Sequence, residues 1–243
     1  MQFHLSFDTE QLVLPLSHQH ALQSSIYALL AKSTQGREVH AVVPELGERA
    51  FRGFVFGALQ GERRVTFVEN TPILHFTGKT YLEVRTPLPQ LADVFANVMQ
   101  VGTQMRLLKN EPFPISDVTV TDKAPCVASP WTIRMCTPMI ARRTIGDETI
   151  FYEPSEPEFA ELMRRNFERK YRSLTGKKPN NFSLTPLTVS NHDKVSLDMK
   201  GTPLLGWGGT YILEGEIGEL NFLYNAGLGS KNSAGFGMFN PTE

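Results

Sequence analysis

Cysteine is nearly absent from this chain. Cys126 and Cys136 are the only two in 243 residues. Without a close CxxC spacing they give neither a disulfide framework nor a thiolate zinc site, and reduced thiols in a cytoplasmic protein are the simpler reading. His4, His75 and His192 are scattered, with no HxH or HExxH spacing, and supply no metal motif. Long apolar runs are missing too: none approaches the ~18–20 residues of a membrane span. The opening "MQFHLSFDTE" carries an acid pair and lacks the apolar core of a signal peptide. Excess charge of either sign is also lacking, since 24 Lys and Arg balance 25 Asp and Glu for a formal net charge of -1. That excludes a uniformly basic nucleic-acid coat but leaves room for a basic stripe offset by acids elsewhere. The expectation is a soluble, cytoplasmic protein with no cofactor and no metal.

What is present reads as two similar halves. "FHLSF" at Phe3–Phe7 alternates like a half-buried strand. Leu22, Ile26, Leu29 and Leu30 then fall at helical spacing, with Ser17 available as N-cap and Gly36 as the stop. Gln23 and Tyr27, four apart, share another stripe of that helix. Three strand-like runs follow ("AFRGFVFGAL", "RRVTFVE", "TYLEVRT"), then a helix with Leu91, Val94, Phe95 and Val98 on one face and Gly102 as its stop, then further strands. The order is the βαββαβ pattern of a ferredoxin-like domain. The turn-rich "TDKAPCVASP" marks a boundary, giving domains at 1–120 and 121–243. The second half repeats the outline, with "EPEFAELMRRNFERKYRSLTGKKP" as a long helix started by Ser155 and stopped by Gly176. The predicted class is therefore α+β, two tandem ferredoxin-like domains. Phe159, Leu162, Met163, Phe167 and Leu174 form the long helix's predicted buried face. Its Arg164, Arg165, Arg169, Lys170 and Arg172 form either a solvated face paired with glutamates or a phosphate-tracking stripe.

The last unusual stretch is "NAGLGSKNSAGFGMFN", Asn225 to Asn240, with two Gly-x-Gly pairs around a polar insert. A hairpin with glycines at positive φ is one reading. A dinucleotide fingerprint is excluded, because that motif follows a first strand and needs an acid about twenty residues on. No GxxxxGK[ST] phosphate loop is present either. A permissive backbone beside Lys231 suits an extended anion better than a mononucleotide.

"GLGSKNSAGFGMF" resembles the C-terminal GhGxxxxxGhG signature of the CRISPR-associated RAMP proteins, specifically the endoribonuclease that cuts CRISPR repeat RNA into guide units. "LPLSHQHALQSSIYALLAKS" is similar to that family's first helix, and "FAELMRRNFERKYRSLTGKKP" to its second-domain helix. The resemblance implies two tandem ferredoxin-like domains and RNA cleavage without metal. In that reaction a ribose 2'-oxygen attacks the adjacent phosphate and leaves a 2',3'-cyclic phosphate and a 5'-hydroxyl. It implies His40, in the loop after the first helix, as the acid–base residue, and Tyr27 as the group orienting or deprotonating the 2'-hydroxyl. Arg49 would clamp the phosphate, and Arg52 is a rival for that position. By the same resemblance Gly227, Gly229, Lys231, Asn232, Ser233, Gly235 and Gly237 would bind RNA, with Arg142, Arg143, Arg165 and Arg169 as phosphate contacts. The implied partner is CRISPR repeat RNA, as precursor and mature guide, with other Cas proteins and a homodimer left open. Blander readings stand beside these: Tyr27 as a packed helix residue, His40 as a solvated loop histidine, and His18 or His20 as alternative acids. A non-catalytic RAMP subunit holding guide RNA in an interference complex is the alternative function.

Overall fold

The computed structural model describes residues 1–41, 51–199 and 201–242, with residues 38–41 described by their backbone alone. The first half runs β1 (Gln2–Pro15), α1 (Gln19–Leu30), α2 (Thr34–Ala41), β2 (Val55–Phe56), β3 (Gln60–Val68), β4 (Thr71–Arg85), α3 (Pro89–Val98), β5 (Gln104–Met105), β6 (Phe113–Pro114) and β7 (Asp117–Thr121). The second runs β8 (Trp131–Met135), β9 (Arg142–Ile145), β10 (Glu148–Phe151), α4 (Pro157–Thr175), β11 (Ser183–Thr188), β12 (Lys194–Met199), β13 (Thr202–Trp207), β14 (Thr210–Glu214), α5 (Ile217–Ala226) and β15 (Phe239–Pro241). The chain is a mixed α and β fold with two larger antiparallel sheets.

The sheets repeat one arrangement. In the first, β1 lies between β7 and β4, and β4 also carries β2 and β3. In the second, β8 lies between β15 and β14, with β11 beyond β14. In both, the first strand is central, and its neighbours are the last strand and the strand that precedes the half's last helix, α3 or α5. The alternation seen in "FHLSF" faces Phe3, Leu5 and Phe7 into one core, which draws on residues from Phe3 to Ile115. A second core draws on residues from Cys126 to Phe239. The β9–β10 and β12–β13 hairpins lie outside both larger sheets.

Several local expectations are corrected. Gly36 does not stop the first helix but lies inside α2. A Cβ there would sit 2.0 Å from the Leu30 carbonyl oxygen, so glycine lets α2 fold back against the end of α1. Ser33 Oγ caps this helix by accepting from the Gly36 N–H at 2.7 Å. His40 therefore falls on α2 rather than in a loop. The N-cap of α1 is His18, not Ser17, and it makes no side-chain cap. Its buried Nδ1 instead meets the Pro15 and Leu16 carbonyls at 3.0 and 3.1 Å, and burial pushes its pKa down. The cap of α4 is Glu156, not Ser155, with Pro157 in the first turn where its fixed φ is helix-ready.

One side chain fastens the two halves together. Arg85, at the end of β4, is 1% exposed. Its Nη1 donates to the Phe239 carbonyl at 2.7 Å, its Nη2 to Asn240 Oδ1 at 2.6 Å and its Nε to Glu83 Oε1 at 2.6 Å. The guanidinium also stacks 3.8 Å over the Tyr224 ring. Arg85→Ala would leave the buried Phe239 carbonyl without this donor and remove the ion-pair partner of the partly buried Glu83. By the cost of breaking a buried ion pair it is expected to lower unfolding free energy by about 3–5 kcal/mol, read by denaturant unfolding. A loss below about 1 kcal/mol, the level of an exposed pair, would show that the halves are held by other contacts.

Candidate nucleic-acid cleft

A cleft of about 470 Å³ opens where the two halves meet. α1 contributes Gln23 and Tyr27, and the segment before β2 contributes Arg52 and Phe54. The second half supplies Arg142, Arg169, Lys170 and the polar turn of the glycine-rich stretch, including Lys231, Asn232 and Ser233. No carboxylate is among the described residues that line it. Tyr27 is half-buried, its ring edge-on to Phe54 at 5.8 Å, so it sits at the rim of the first core and borders the cleft. A wider trough of about 690 Å³ adjoins the cleft, sharing Arg142, Asn166, Arg169 and Ser230 and adding Arg143, Arg165 and Arg172.

Of the residues expected at a site, the structure thus gathers Tyr27, Arg142, Arg169, Lys231, Asn232 and Ser233 around one cleft. Arg143 and Arg165 line only the trough. His40 reaches the end of α2, but its side chain is outside the described residues, as is all of Arg49. Arg52, the rival cation, does line the cleft.

The arginines of α4 are not equivalent. Glu161 accepts hydrogen bonds from both Arg164 and Arg165, and these hold its carboxyl down to about 2. Arg172 donates to Glu168 Oε1 at 3.0 Å. These exposed pairs add little stability, but they pre-position their guanidiniums and partly neutralise them. Arg169 forms no such pair among the described residues and faces the junction of cleft and trough.

The glycine-rich stretch is built inward. Gly227 closes α5 with φ +79°, and a short 3₁₀ turn at Asn232–Ala234 follows. A Cβ on Gly235 (φ +87°) would come 2.7 Å from the Phe56 ring, and one on Gly237 (φ +80°) 1.9 Å from the Leu228 carbonyl. All four glycines are buried, while Lys231 is exposed and Ser230 and Ser233 are partly so. The bare backbone is thus spent on close approach to the protein itself. Asn232 is part of the frame: its Nδ2 donates to the Leu228 and Phe236 carbonyls at 2.9 and 3.0 Å.

Lys170 is the residue the sequence reading misplaced. It was grouped with the basic face of α4, yet it is 2% exposed. Its Nζ donates to the Gly227 carbonyl at 2.6 Å, the Gly229 carbonyl at 3.2 Å and Asn232 Oδ1 at 2.6 Å. Burial pushes its pKa down to about 7. The signal was in the spacing, since Phe159, Met163, Phe167 and Lys170 follow one helical stripe.

Residues 123–241 match the family described as CRISPR associated protein Cas6, C-terminal. Across nearly its whole length the chain is similar to the CRISPR-associated endoribonuclease Cas6 1 of Methanocaldococcus jannaschii, 24% identical over 98% of this chain and 91% of the relative. The CRISPR-associated endoribonuclease Cas6 of Pyrococcus furiosus is 23% identical, over 93% of this chain and 82% of the relative. A solved structure described as CRISPR associated protein Cas6 superposes with a TM-score of 0.79 at 22% identity, covering 100% of this chain and 99% of that one. This likeness extends the shared fold through both halves.

The inward-built loop gives a paired test. Gly237→Ala combines a left-handed backbone with a Cβ clash and is expected to cost more than about 2 kcal/mol of stability. Gly218→Ala, in α5 with nothing within 4 Å of its Cβ, is expected to stay within about 1 kcal/mol of wild type. Equal unfolding midpoints for the two variants would refute the packing role of Gly237.

Proposed function

From the match of residues 123–241 to the Cas6 C-terminal family and the similarity of nearly the whole chain to Cas6 endoribonucleases, we propose that this is a Cas6-family endoribonuclease that binds CRISPR repeat RNA and cuts precursor transcripts into guide units. The observation that carries this reading is the cleft between the halves, lined by cations and a tyrosine and by no described carboxylate. Such a cleft suits a polyanion. Two ferredoxin-like domains, 1–120 and 121–243, frame it in this reading, and the matching strand orders of the two sheets support that division.

The chemistry proposed is attack of a ribose 2'-oxygen on its own 3'-phosphate, in line with the departing 5'-oxygen. It gives a 2',3'-cyclic phosphate and a 5'-hydroxyl, and it needs a base, an acid and cations around the crowded phosphorane. His40 on α2 is assigned the acid–base role, because imidazole exchanges protons near neutrality. Tyr27 orients or deprotonates the attacking hydroxyl from the rim of the cleft. Arg49 or Arg52 clamps the phosphate, and the place of Arg52 beside Tyr27 in the cleft lining favours it. A guanidinium in that position contributes electrostatically rather than as an acid or base. Lys231, Arg142, Arg143 and Arg169 follow the RNA backbone, and Arg165 joins them by exchanging Glu161 for a phosphate. The glycines shape the loop that carries Lys231 and Ser233. Metal independence belongs to the same proposal: none of the described residues that line the cleft is a carboxylate, the group by which Mg²⁺ is usually held.

Labelled repeat RNA incubated with EDTA is expected to be cut, and a 2'-deoxy substitution at the scissile nucleotide to abolish the cut. His40→Ala is expected to slow cleavage by ~10²–10⁴-fold, the range of a general acid–base group, while leaving RNA affinity nearly unchanged. Wild-type cleavage by that variant removes His40 from the mechanism, and cleavage of the deoxy substrate removes the 2'-oxygen attack. Binding without cleavage, in EDTA and in magnesium alike, would place the chain among non-catalytic RNA-holding subunits.

A further inference from the structure

We propose that Lys170 is a positioning residue for RNA docking: its ammonium ties the polar turn and the segment leading into it to α4, and RNA binds the form in which all three of its N–H bonds are made. The proposal rests on the RNA reading of the cleft and concerns how the glycine-rich loop is held for it.

The geometry fixes a proton count. Lys170 Nζ meets the Gly227 carbonyl, the Gly229 carbonyl and Asn232 Oδ1 at 2.6, 3.2 and 2.6 Å. All three are acceptors. The Asn232 amide is oriented by its own network, because its Nδ2 donates to two other carbonyls. An ammonium supplies three hydrogens, whereas a neutral amine supplies two and turns a lone pair toward an oxygen. Loss of the proton therefore leaves one loop acceptor buried without a donor, which is costly. The bonded atoms come from Gly227 and Gly229 before the turn and from Asn232 within it, so the turn that carries Lys231 and Ser233 is set by this one group.

Among the described residues that line the cleft, none is a counter-ion for the charge on Lys170. The groups that face the cleft with it are Arg169 from α4, Arg142 from β9, Arg52 from the segment before β2, Lys231 from the loop and the phenol of Tyr27 from α1. All are cationic or neutral. Desolvation brings Lys170 down from 10.5 to about 7. A polyanion entering the cleft favours the charged form, and linkage is reciprocal: RNA binding takes up a proton, and protonation tightens binding. The free protein has the opposite slope. Between about 7 and 10.5 the unfolded chain holds a proton that the folded chain has released, so this group makes stability rise with pH across that window. RNA affinity falls as pH rises above about 7, until the pKa that Lys170 has in the complex is passed.

The test uses repeat RNA made uncleavable by a 2'-deoxy scissile nucleotide, with binding followed from about pH 6.5 to 9, the range that brackets the shifted amine. Wild-type affinity is expected to fall, approaching tenfold per pH unit as one linked proton is lost. Lys170→Met is expected to bind at least tenfold more weakly at the acid end, a loss of about 1.4 kcal/mol, and to show a flatter pH profile. Wild-type protein carrying ¹³C-labelled lysine gives a second readout independent of the variant's folding. One lysine Cε signal should titrate near pH 7 in the free protein and move to higher pH with RNA. If every lysine titrates above about pH 9, near its ordinary value, the proposal is overturned. A folded Lys170→Met variant with wild-type affinity and pH slope overturns it as well. Tight, pH-independent RNA binding by wild type overturns this inference alone, whereas no binding to repeat RNA at any pH overturns the RNA reading of the cleft along with it.

Discussion

The cleft exists because two cores are held at a fixed seam, and the Arg85 guanidinium is the constraint on which that seam depends. It leaves the end of β4 and satisfies the Phe239 carbonyl and the Asn240 side chain at the far edge of the other sheet. A buried guanidinium needs this many acceptors in a plane, because any N–H left over would cost desolvation without return. Lysine could not replace it here, having neither the fork nor the flat face that lies on Tyr224. With the sheets registered in this way, backbones must approach across the seam. Gly235 meets Phe56 of β2, and Gly57 meets the sulfur of Met238. The glycine-rich signature is therefore partly a seam motif: its residues are small because another core lies against them.

α4 joins the seam to the chemistry. Phe159, Met163 and Phe167 anchor it in the second core, and Lys170, next on the stripe, meets the loop instead of the core. The opposite face carries the arginines. Glu161 and Glu168 sit among them and fix where several guanidiniums point, at little gain in stability for such exposed pairs. One helix thus sets the loop from beneath and presents cations from above, so a shift of α4 would move the loop and the cationic face together.

Much of this order was legible in the sequence, and the failures have physical causes. The helices α1, α3 and α4 were visible because their apolar spacing reports burial, and much of the succession of strands and helices was visible in the turn residues between them. Gly36 was misread because glycine serves both as a helix stop and as a point of close approach, and only the path of α2 over Leu30 tells the two apart. The placing of His40 failed with it. "AFRGFVFGAL" shrank to the two-residue β2, since Phe54 and Phe56 are buried whether or not their backbone pairs. Lys170 was lost among neighbouring charges because composition dominated the reading of that helix, although its position belongs to the apolar stripe. The inward turn of the glycines was beyond the sequence altogether, as it depends on Phe56, a residue some 180 positions earlier.

A net charge of -1 on a protein read as an RNA enzyme is resolved by where the charges lie. The described lining of the cleft holds no acid, and the acids nearest the trough are engaged with arginines. Charge separated in this way focuses positive potential into a concave surface without making the whole surface attractive to any polyanion. Non-specific affinity then stays low, because outside the groove Asp and Glu outnumber the remaining Lys and Arg. Within the groove, some contacts must displace an internal carboxylate and others, such as those of Arg169, need not. In the RNA reading proposed above, the favoured strand is one whose phosphates reach Arg169 without displacing Glu161 or Glu168, so the acids on α4 bear on the path as well as on charge balance.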